Sequence, residues 1–331
     1  MANSAQCPGW NSPISLFSLK ILVLRGGALG DLVLTLPVLG EIRKSYPDAE
    51  ILLLGRFPQA RLAVPQYVDR VERIDAPDLL PLFEDGPLPE IVRNRLGRFD
   101  FAISYVPDPD AIISRNLTAA GVKRIIACSS KMRSGSHAVF QLAEVLGSLG
   151  LSLHDPVPRL FAGPKPPSCS KLGFHVGSGS PGKNWPIEYW TDLTQRLKGL
   201  FSDFLLIGGE ADGEAIREFR ARSGIGSLKT LLSASLADLC QALNGCTVFL
   251  GHDSGVSHLA AAIGTPTVVL FGRSDSSVWA PLGEHVRVVR SPDGLMKSIR
   301  VDTAEETCWC AAKNHLGMSP PGRSREEARR R

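Results

Sequence analysis

Two strand-to-loop transitions carry the residues best suited to chemistry. Near the start, the apolar run Leu19 to Leu24 breaks into Arg25-Gly26-Gly27-Ala28-Leu29-Gly30-Asp31. Far downstream, the run Thr247 to Leu250 breaks into Gly251-His252-Asp253-Ser254-Gly255 ahead of a helix-like stretch. Asp31 closes a glycine-rich loop and opens a helix-like run, a place where the ordinary reading is an N-cap. The same carboxylate can accept a proton from an attacking hydroxyl that comes within hydrogen-bond reach. Gly26, Gly27 and Gly30 let the backbone turn sharply there and leave room beside Asp31 for a ligand.

In the second half, Val176-Gly177-Ser178-Gly179-Ser180-Pro181-Gly182-Lys183-Asn184-Trp185-Pro186 follows a strand and precedes a helix. Its small residues and the hydroxyls of Ser178 and Ser180 can approach a phosphate closely, and Lys183 supplies a compact positive charge. The glycine spacing is not that of a Walker loop, and by composition a plain surface loop reads the same way. At Asp253-Ser254-Gly255-Val256 the unpaired amides of a helix start form an anion seat that a diphosphate would fit. Asp253 would repel that anion unless its carboxylate turns toward neutral hydroxyls, which makes a sugar its natural partner. His258 falls inside the same helix and reads as a satisfied packing residue, outside the chemistry.

Glu210, Asp212 and Glu214 follow Gly208-Gly209, where one carboxylate can take the two hydroxyls of a ribose. Glu210 is the choice, set against solvated surface for each of the three. Cys308-Trp309-Cys310 with His315 lacks the second paired set that a closed zinc site needs, so no metal site is expected. Neither a Ser-His-Asp elbow nor a GxGxxG fingerprint is present, which disfavours a hydrolase and a dehydrogenase.

Such loops need sheets to hold them. Runs rich in Val, Ile and Leu at Lys20 to Leu24, Ile51 to Gly55, Arg70 to Ile74, Phe101 to Val106 and Arg124 to Ala127 alternate with helix-like runs, the mark of crossover units and a parallel sheet. The run Asp31 to Tyr46 has helical spacing, with Pro37 expected to kink it or to mark a delayed start. After the proline-dense Ala162-Gly163-Pro164-Lys165-Pro166-Pro167-Ser168 the alternation resumes, with strands at Leu172 to Val176, Phe204 to Ile207, Thr247 to Leu250, Thr267 to Phe271 and Val286 to Val289. Helices are expected over Tyr189 to Leu200, Asp212 to Arg222, Leu236 to Leu243 and Val256 to Ile263. Ligands bind outside strand C-termini in open parallel sheets, so two such sheets face to face enclose one deep cleft suited to joining two substrates.

With 331 residues the chain is long for one core, and two domains are expected. The divisions are a disordered leader over 1–18, a first domain over 19–162, a connector over 163–170, a second domain over 171–315 and a disordered basic tail over 316–331. A net charge of +4, part of it in that tail, does not imply a nucleic-acid partner. Seven scattered cysteines fit reduced thiols and a cytoplasmic setting better than a disulfide framework. No apolar run approaches the roughly 20 residues of a membrane-spanning helix.

Four segments together resemble glycosyltransferase family 9, the bacterial lipopolysaccharide heptosyltransferases: Arg25 to Pro37, Gly177 to Pro186, Asp253 to Ala261, and Phe271-Gly272-Arg273-Ser274-Asp275. The resemblance implies an α/β GT-B fold, with two Rossmann-like domains facing across a cleft. It implies an N-terminal domain that receives the acceptor and a C-terminal domain that holds a nucleotide-sugar donor, usually ADP-heptose. Matched by position, Asp31 is the general base, Lys183 the diphosphate-binding lysine and Asp253 the carboxylate on the donor sugar. Ser178 and Ser180 are the hydroxyls near the phosphates, Ser254, Gly255 and Val256 the helix start that meets them, and Gly27 and Gly30 stand with Asp31 on the acceptor side.

The implied reaction is a metal-independent, inverting transfer without a cofactor, with Glu210, or alternatively Glu214, on the ribose. The implied acceptor is a lipid-linked saccharide met at the inner membrane. Gly26-Gly27 and Arg273 depart from the family's usual residues. A noncatalytic nucleotide-sugar-binding protein and a nucleotide-sugar epimerase are the alternatives on the same fold.

Overall fold

The computed structural model describes residues 19–129, 131–166, 170–226 and 228–316, without the side chains of 314–316. The expected leader over 1–18, part of the connector, the tail beyond 316 and the His315 side chain lie outside the described residues.

Five strands form the first sheet: β1 (Lys20–Arg25), β2 (Glu50–Gly55), β3 (Arg70–Arg73), β4 (Phe101–Ser104) and β5 (Arg124–Ala127), in the order β3-β2-β1-β4-β5. Six form the second: β6 (Lys171–His175), β7 (Asp203–Gly208), β8 (Leu228–Leu232), β9 (Val248–His252), β10 (Thr267–Phe271) and β11 (Val286–Arg290), in the order β11-β10-β9-β6-β7-β8. Every pairing in both sheets is parallel.

The helices of the first half are α1 (Leu29–Ser45), α2 (Glu90–Leu96), α3 (Ile112–Ala120), α4 (Ala138–Leu142) and α5 (Glu144–Ser148). Those of the second are α6 (Ile187–Arg196), α7 (Gly213–Ser223), α8 (Leu236–Asn244), α9 (Gly255–Ile263), α10 (Ser276–Trp279) and α11 (Val301–Leu316).

A strand buried on both faces must be apolar at every position, and the period of two then deals its side chains to two separate cores. In the first sheet Ile21, Val23, Ile51, Leu53, Phe101 and Ile103 join one buried cluster, while Leu22, Leu24, Leu52, Leu54 and Ala102 join the cluster on the opposite face. Register fixes this division: Ile21 stands beside Ile51 on one side and Phe101 on the other. The second sheet divides alike, with Leu172, Phe174, Leu206 and Leu250 on one face and Leu205, Ile207 and Phe249 on the other.

Strand order locates the crevices. From β1 the chain builds outward through β2 and β3, then returns to build β4 and β5 on the other side. From β6 it builds β7 and β8, then crosses to β9, β10 and β11. The switch points, where ligands settle in open parallel sheets, are therefore at the C-terminal ends of β1 and β4 and of β6 and β9. Asp31 follows β1, the segment Val176 to Pro186 follows β6, and Asp253 follows β9.

Several element limits differ from the sequence expectations. Helix α1 begins at Leu29, so Pro37 lies mid-helix and does not mark a delayed start. Apolar burial along α1, from Leu32 through Ile42, carries the helix past the missing N–H of Pro37. Strand β8 was not anticipated; its Leu228-Lys229-Thr230-Leu231-Leu232 is a half-buried edge strand without a continuous apolar run. Helix α11 was not anticipated either, and it seats Cys308 fully buried in the second core. Among the described residues no helix is long and apolar enough to cross a membrane.

Between Ser148 and Lys171 no helix or strand lies among the described residues. His154 binds Glu41 of α1 through both its N–H and Nδ1, and Asn244 Nδ2 faces the carbonyls of Ala162, Gly163 and Pro164 at 3.1–3.4 Å. Contacts also run between the halves. Val278 of α10 inserts into the first-half core, and His137 Nε2 lies 2.7 Å from the carbonyl of Ala280.

Candidate active site

Helices α1 and α9 leave the two switch points and pack on each other near their N-termini. Close approach there requires a residue without a side chain: a Cβ on Gly255 would fall 2.8 Å from Leu29 Cβ and 3.1 Å from Gly30 N. His258, one turn into α9, lies under this crossing with its Cδ2 toward Gly30. The charges of Asp253, His137, Asp31 and Lys183 all act on its ring, which brings the first turn of α1 together with the loops after β6 and β9 around one imidazole. The expectation of a satisfied packing residue holds only in part. His258 is buried, but its Nδ1 has no hydrogen-bond partner, and burial pushes its pKa down to about 4.

Asp31 is not an N-cap. Ala28 holds that position and Asp31 is the third residue of α1, with Oδ2 reaching back 2.8 Å to accept from Ala28 N. A short loop ending in a left-handed Gly27, φ +89°, makes the difference: it starts the helix at Leu29 and leaves the carboxylate over the first turn. There the carboxylate also complements the positive end of the helix dipole.

Arg25 orients it from below. This buried guanidinium donates to the Asp31 carbonyl, to Thr35 Oγ1 at 2.8 Å and to Asp31 Oδ1 at 3.3 Å. It sits 5.5 Å over the ring of Tyr105. Burial lowers the Arg25 pKa, although a guanidinium stays charged. Burial also raises Tyr105 well above its ordinary value and pushes Cys128 up to about 12, so both are neutral and the charge that Arg25 meets is Asp31. Sequence reasoning gave Arg25 no role; the signal was a lone guanidinium closing an otherwise apolar strand.

Lys183 Nζ and Asp253 Oδ2 are 2.6 Å apart, with the lysine side chain 40% and the aspartate 13% exposed. The two residues expected to meet different parts of a ligand therefore hold each other. Ser254 caps α9 as its N-cap residue, and its buried Oγ has no partner among the described residues. Behind it, the first-turn amides, including those of Gly255 and Val256, have no acceptor within the helix. Ser178 Oγ lies 2.6 Å from Asn184 Oδ1 and 2.8 Å from the Ser180 carbonyl, which in turn accepts from Lys183 N. Ser180 itself is exposed.

Glu210 and Glu214 are both exposed at the turn following β7. Asp212 between them is committed elsewhere, accepting from His175 Nε2 and Gly209 N at 2.8 Å each. Burial alone would raise its pKa; these bonds outweigh that and hold it below the ordinary carboxylate value. Among the described residues no group of three His, Cys, Asp or Glu side chains could hold a metal ion. A groove of about 490 Å³ lined by Arg61, Asp69, Arg70 and Glu72 lies at the open edge beside β3. Three of these four charges are matched, Asp69 by Arg43, Arg70 by Glu50 and Glu72 by Arg95, and Arg61 lies over the ring of Phe57.

The family model for glycosyltransferase family 9 (heptosyltransferase) matches residues 148–309. Lipopolysaccharide heptosyltransferase 2 of Salmonella typhimurium is 25% identical over 87% of this chain and 92% of its own length. The chain belongs to glycosyltransferase family 9. It is accordingly a glycosyltransferase enzyme, and its two facing parallel sheets are the GT-B fold. Solved structures agree on that architecture. A family 9 glycosyl transferase from Veillonella parvula superposes with a TM-score of 0.73 at 18% identity, covering 89% of this chain and 97% of the other. The E. coli heptosyltransferase WaaC with ADP gives 0.69 at 19% identity, over 89% and 100%.

Proposed function

We propose that this family 9 enzyme transfers a heptose from ADP-heptose to a sugar hydroxyl of a lipopolysaccharide-core acceptor, with inversion at the anomeric carbon. The observation that carries the reading is the convergence of Asp31 on α1 with the Lys183–Asp253 pair at the start of α9 around His258. A carboxylate on one lobe and a cation beside open helix amides on the other suit an acceptor hydroxyl and a diphosphate. The curated relative named for lipopolysaccharide and the neighbour solved with ADP support the same acceptor and donor chemistry.

In this reaction Asp31 takes the proton of the acceptor hydroxyl as that oxygen bonds the anomeric carbon. The bond from this carbon to the diphosphate oxygen breaks, and its electron pair leaves with ADP. Negative charge grows on the diphosphate, where Lys183 and the amides of Gly255 and Val256 meet it, with the hydroxyls of Ser178, Ser180 and Ser254 at hand. Asp253 grips the donor sugar, and Glu210, with Glu214 as the alternative, takes the ribose. Gly27 leaves room at the Asp31 carboxylate for the acceptor, whereas Gly30 faces His258 and Gly255 and serves the packing of α1 on α9. The acceptor is lipid-linked, so the enzyme meets it from the cytoplasm at the inner-membrane surface.

Incubation with ADP-heptose and a heptose-deficient core acceptor should release ADP and yield the extended saccharide with inverted anomeric configuration. ADP-heptose binding with no product for any acceptor, or conversion of donor alone, would replace transfer with the sensor or epimerase reading. The reaction as written needs no divalent ion, because Lys183 and the helix start supply the compensating charge. EDTA should leave turnover unchanged, and loss of activity restored by Mg²⁺ would overturn that part.

Asp253→Asn separates anion binding from sugar binding. It removes a negative charge beside the diphosphate seat and frees Lys183, so ADP affinity measured by calorimetry should stay equal or rise by up to about threefold. Turnover should drop by about a hundredfold as the sugar loses its grip. A tenfold loss of ADP affinity would instead mean that Asp253 serves mainly to hold Lys183 in place.

A further inference from the structure

His252 ends β9 one residue before Asp253 and has no solvent exposure. Trp185 N lies 2.9 Å from its Nε2, and the Gly177 carbonyl lies 2.9 Å from its Nδ1. A peptide N–H only donates and a carbonyl only accepts, so the two bonds together fix the ring: Nδ1 carries the proton and Nε2 is bare. Gly177 and Trp185 bracket the segment that carries Ser178, Ser180 and Lys183. One neutral imidazole thus fastens both ends of that segment to the strand that delivers Asp253.

The surroundings leave the ring little freedom. It meets the face of Trp190 edge-on, with centroids 5.4 Å apart and planes at 88°. The indole of Trp185 is held in turn by the Ile299 carbonyl at 3.0 Å. Burial pushes the His252 pKa down to about 4, so the neutral form is the one present at ordinary pH. A second proton on Nε2 would remove the acceptor for Trp185 N.

The geometry points to His252 as a positioning residue for the donor: as the Nδ1–H tautomer it sets the loop from Gly177 to Trp185 against the end of β9, placing Lys183 and the serines around the diphosphate. His252 does not touch the ligand; it acts through the loop. The inference rests on reading this loop as the diphosphate seat.

The test uses the full chain and ADP as the probe. In His252→Phe the ring packing against Trp190 is kept and both hydrogen bonds are lost. The ADP Kd should rise at least tenfold, the donor KM should rise with it, and the acceptor KM should stay within about twofold. His252→Asn restores a donor at the δ position and should recover part of the loss. Long-range ¹H–¹⁵N spectra of the unmodified protein should show His252 protonated at Nδ1.

A folded His252→Phe protein that binds ADP as tightly as the parent would overturn the inference, as would an Nε2–H signal from His252. Should the phenylalanine variant not fold, the tautomer and the asparagine variant decide. If the parent itself does not bind ADP, the diphosphate reading fails and this inference with it; binding that is unaltered by the substitution sinks this inference alone.

Discussion

Asp31→Asn should lower turnover by about a thousandfold while the ADP Kd changes by less than about twofold. A positioned general base contributes roughly 10²- to 10⁴-fold, and the amide removes that proton acceptor with almost no change of shape. The carboxylate accepts from Ala28 N at 2.8 Å through Oδ2 and from Arg25 at 3.3 Å through Oδ1, and an asparagine oxygen can retain one of these bonds, with the shorter one to Ala28 N the better kept. The first turn of α1 should therefore persist, at a stability cost of under about 1 kcal/mol, from the lost charge at the helix N-terminus and the weakened contact with Arg25. The diphosphate seat belongs to the loops after β6 and β9, so ADP has no reason to notice. Single-turnover ADP release, calorimetric ADP binding and a melting curve on the same preparation test all three statements. A variant retaining a tenth or more of parental turnover would remove Asp31 from the role of base.

Lys183→Ala is expected to damage both binding and turnover. Its ammonium lies 2.6 Å from Asp253, whose side chain is 13% exposed, and the deletion leaves that carboxylate uncompensated beside an incoming anion. Breaking a fully buried pair costs about 3–5 kcal/mol. Lys183 is 40% exposed, so water screens the loss, and about 2 kcal/mol is the appropriate scale. That corresponds to a roughly 30-fold weaker ADP complex. Turnover at saturating donor should fall a further 10²- to 10³-fold, because charge accumulating on the departing diphosphate loses its nearest cation. Lys183→Arg should recover binding better than turnover, since the fork of the guanidinium places its charge differently. If the alanine variant binds ADP as well as the parent, the cation meets some other part of the substrate.

These two substitutions and Asp253→Asn form a set. Loss of turnover with unchanged ADP binding marks a residue outside the diphosphate seat, loss of both marks the diphosphate seat, and loss of turnover with tighter ADP binding marks the sugar grip. Three identical patterns would mean that the residues act as one structural cluster.

Much of the architecture was legible in the sequence because a parallel sheet covered on both faces forces its strands into unbroken apolar runs. Nine of the strands are marked by their runs of Val, Ile and Leu, and the edge strand β3, Arg70-Val71-Glu72-Arg73, by its place in the strand–helix alternation; β8 is not marked, because a half-exposed edge needs no such run. Loops breaking out of those runs, at Asp31, Lys183 and Asp253, were visible for the same reason: polar and glycine residues interrupt an apolar pattern only where backbone and side chains must face water or a ligand.

What one dimension could not hold was partnership across distance. The N-cap assignment of Asp31 failed by three residues, since the conformation of Gly27 and Ala28 decides where the first helical turn begins. Arg25 was invisible as an anchor for Asp31 because its burial depends on Tyr105 and Thr35 closing over it. His252 read as one polar residue in a loop, yet its two bonds reach residues 67 and 75 positions away. The ion pair between Lys183 and Asp253, 70 residues apart, has the same origin. Composition and periodicity determine which segments become strands and where their polar exits lie. Which exits meet is decided by strand order and by the packing of α1 on α9, because only folding brings distant side chains within the few ångströms over which hydrogen bonds and charges act.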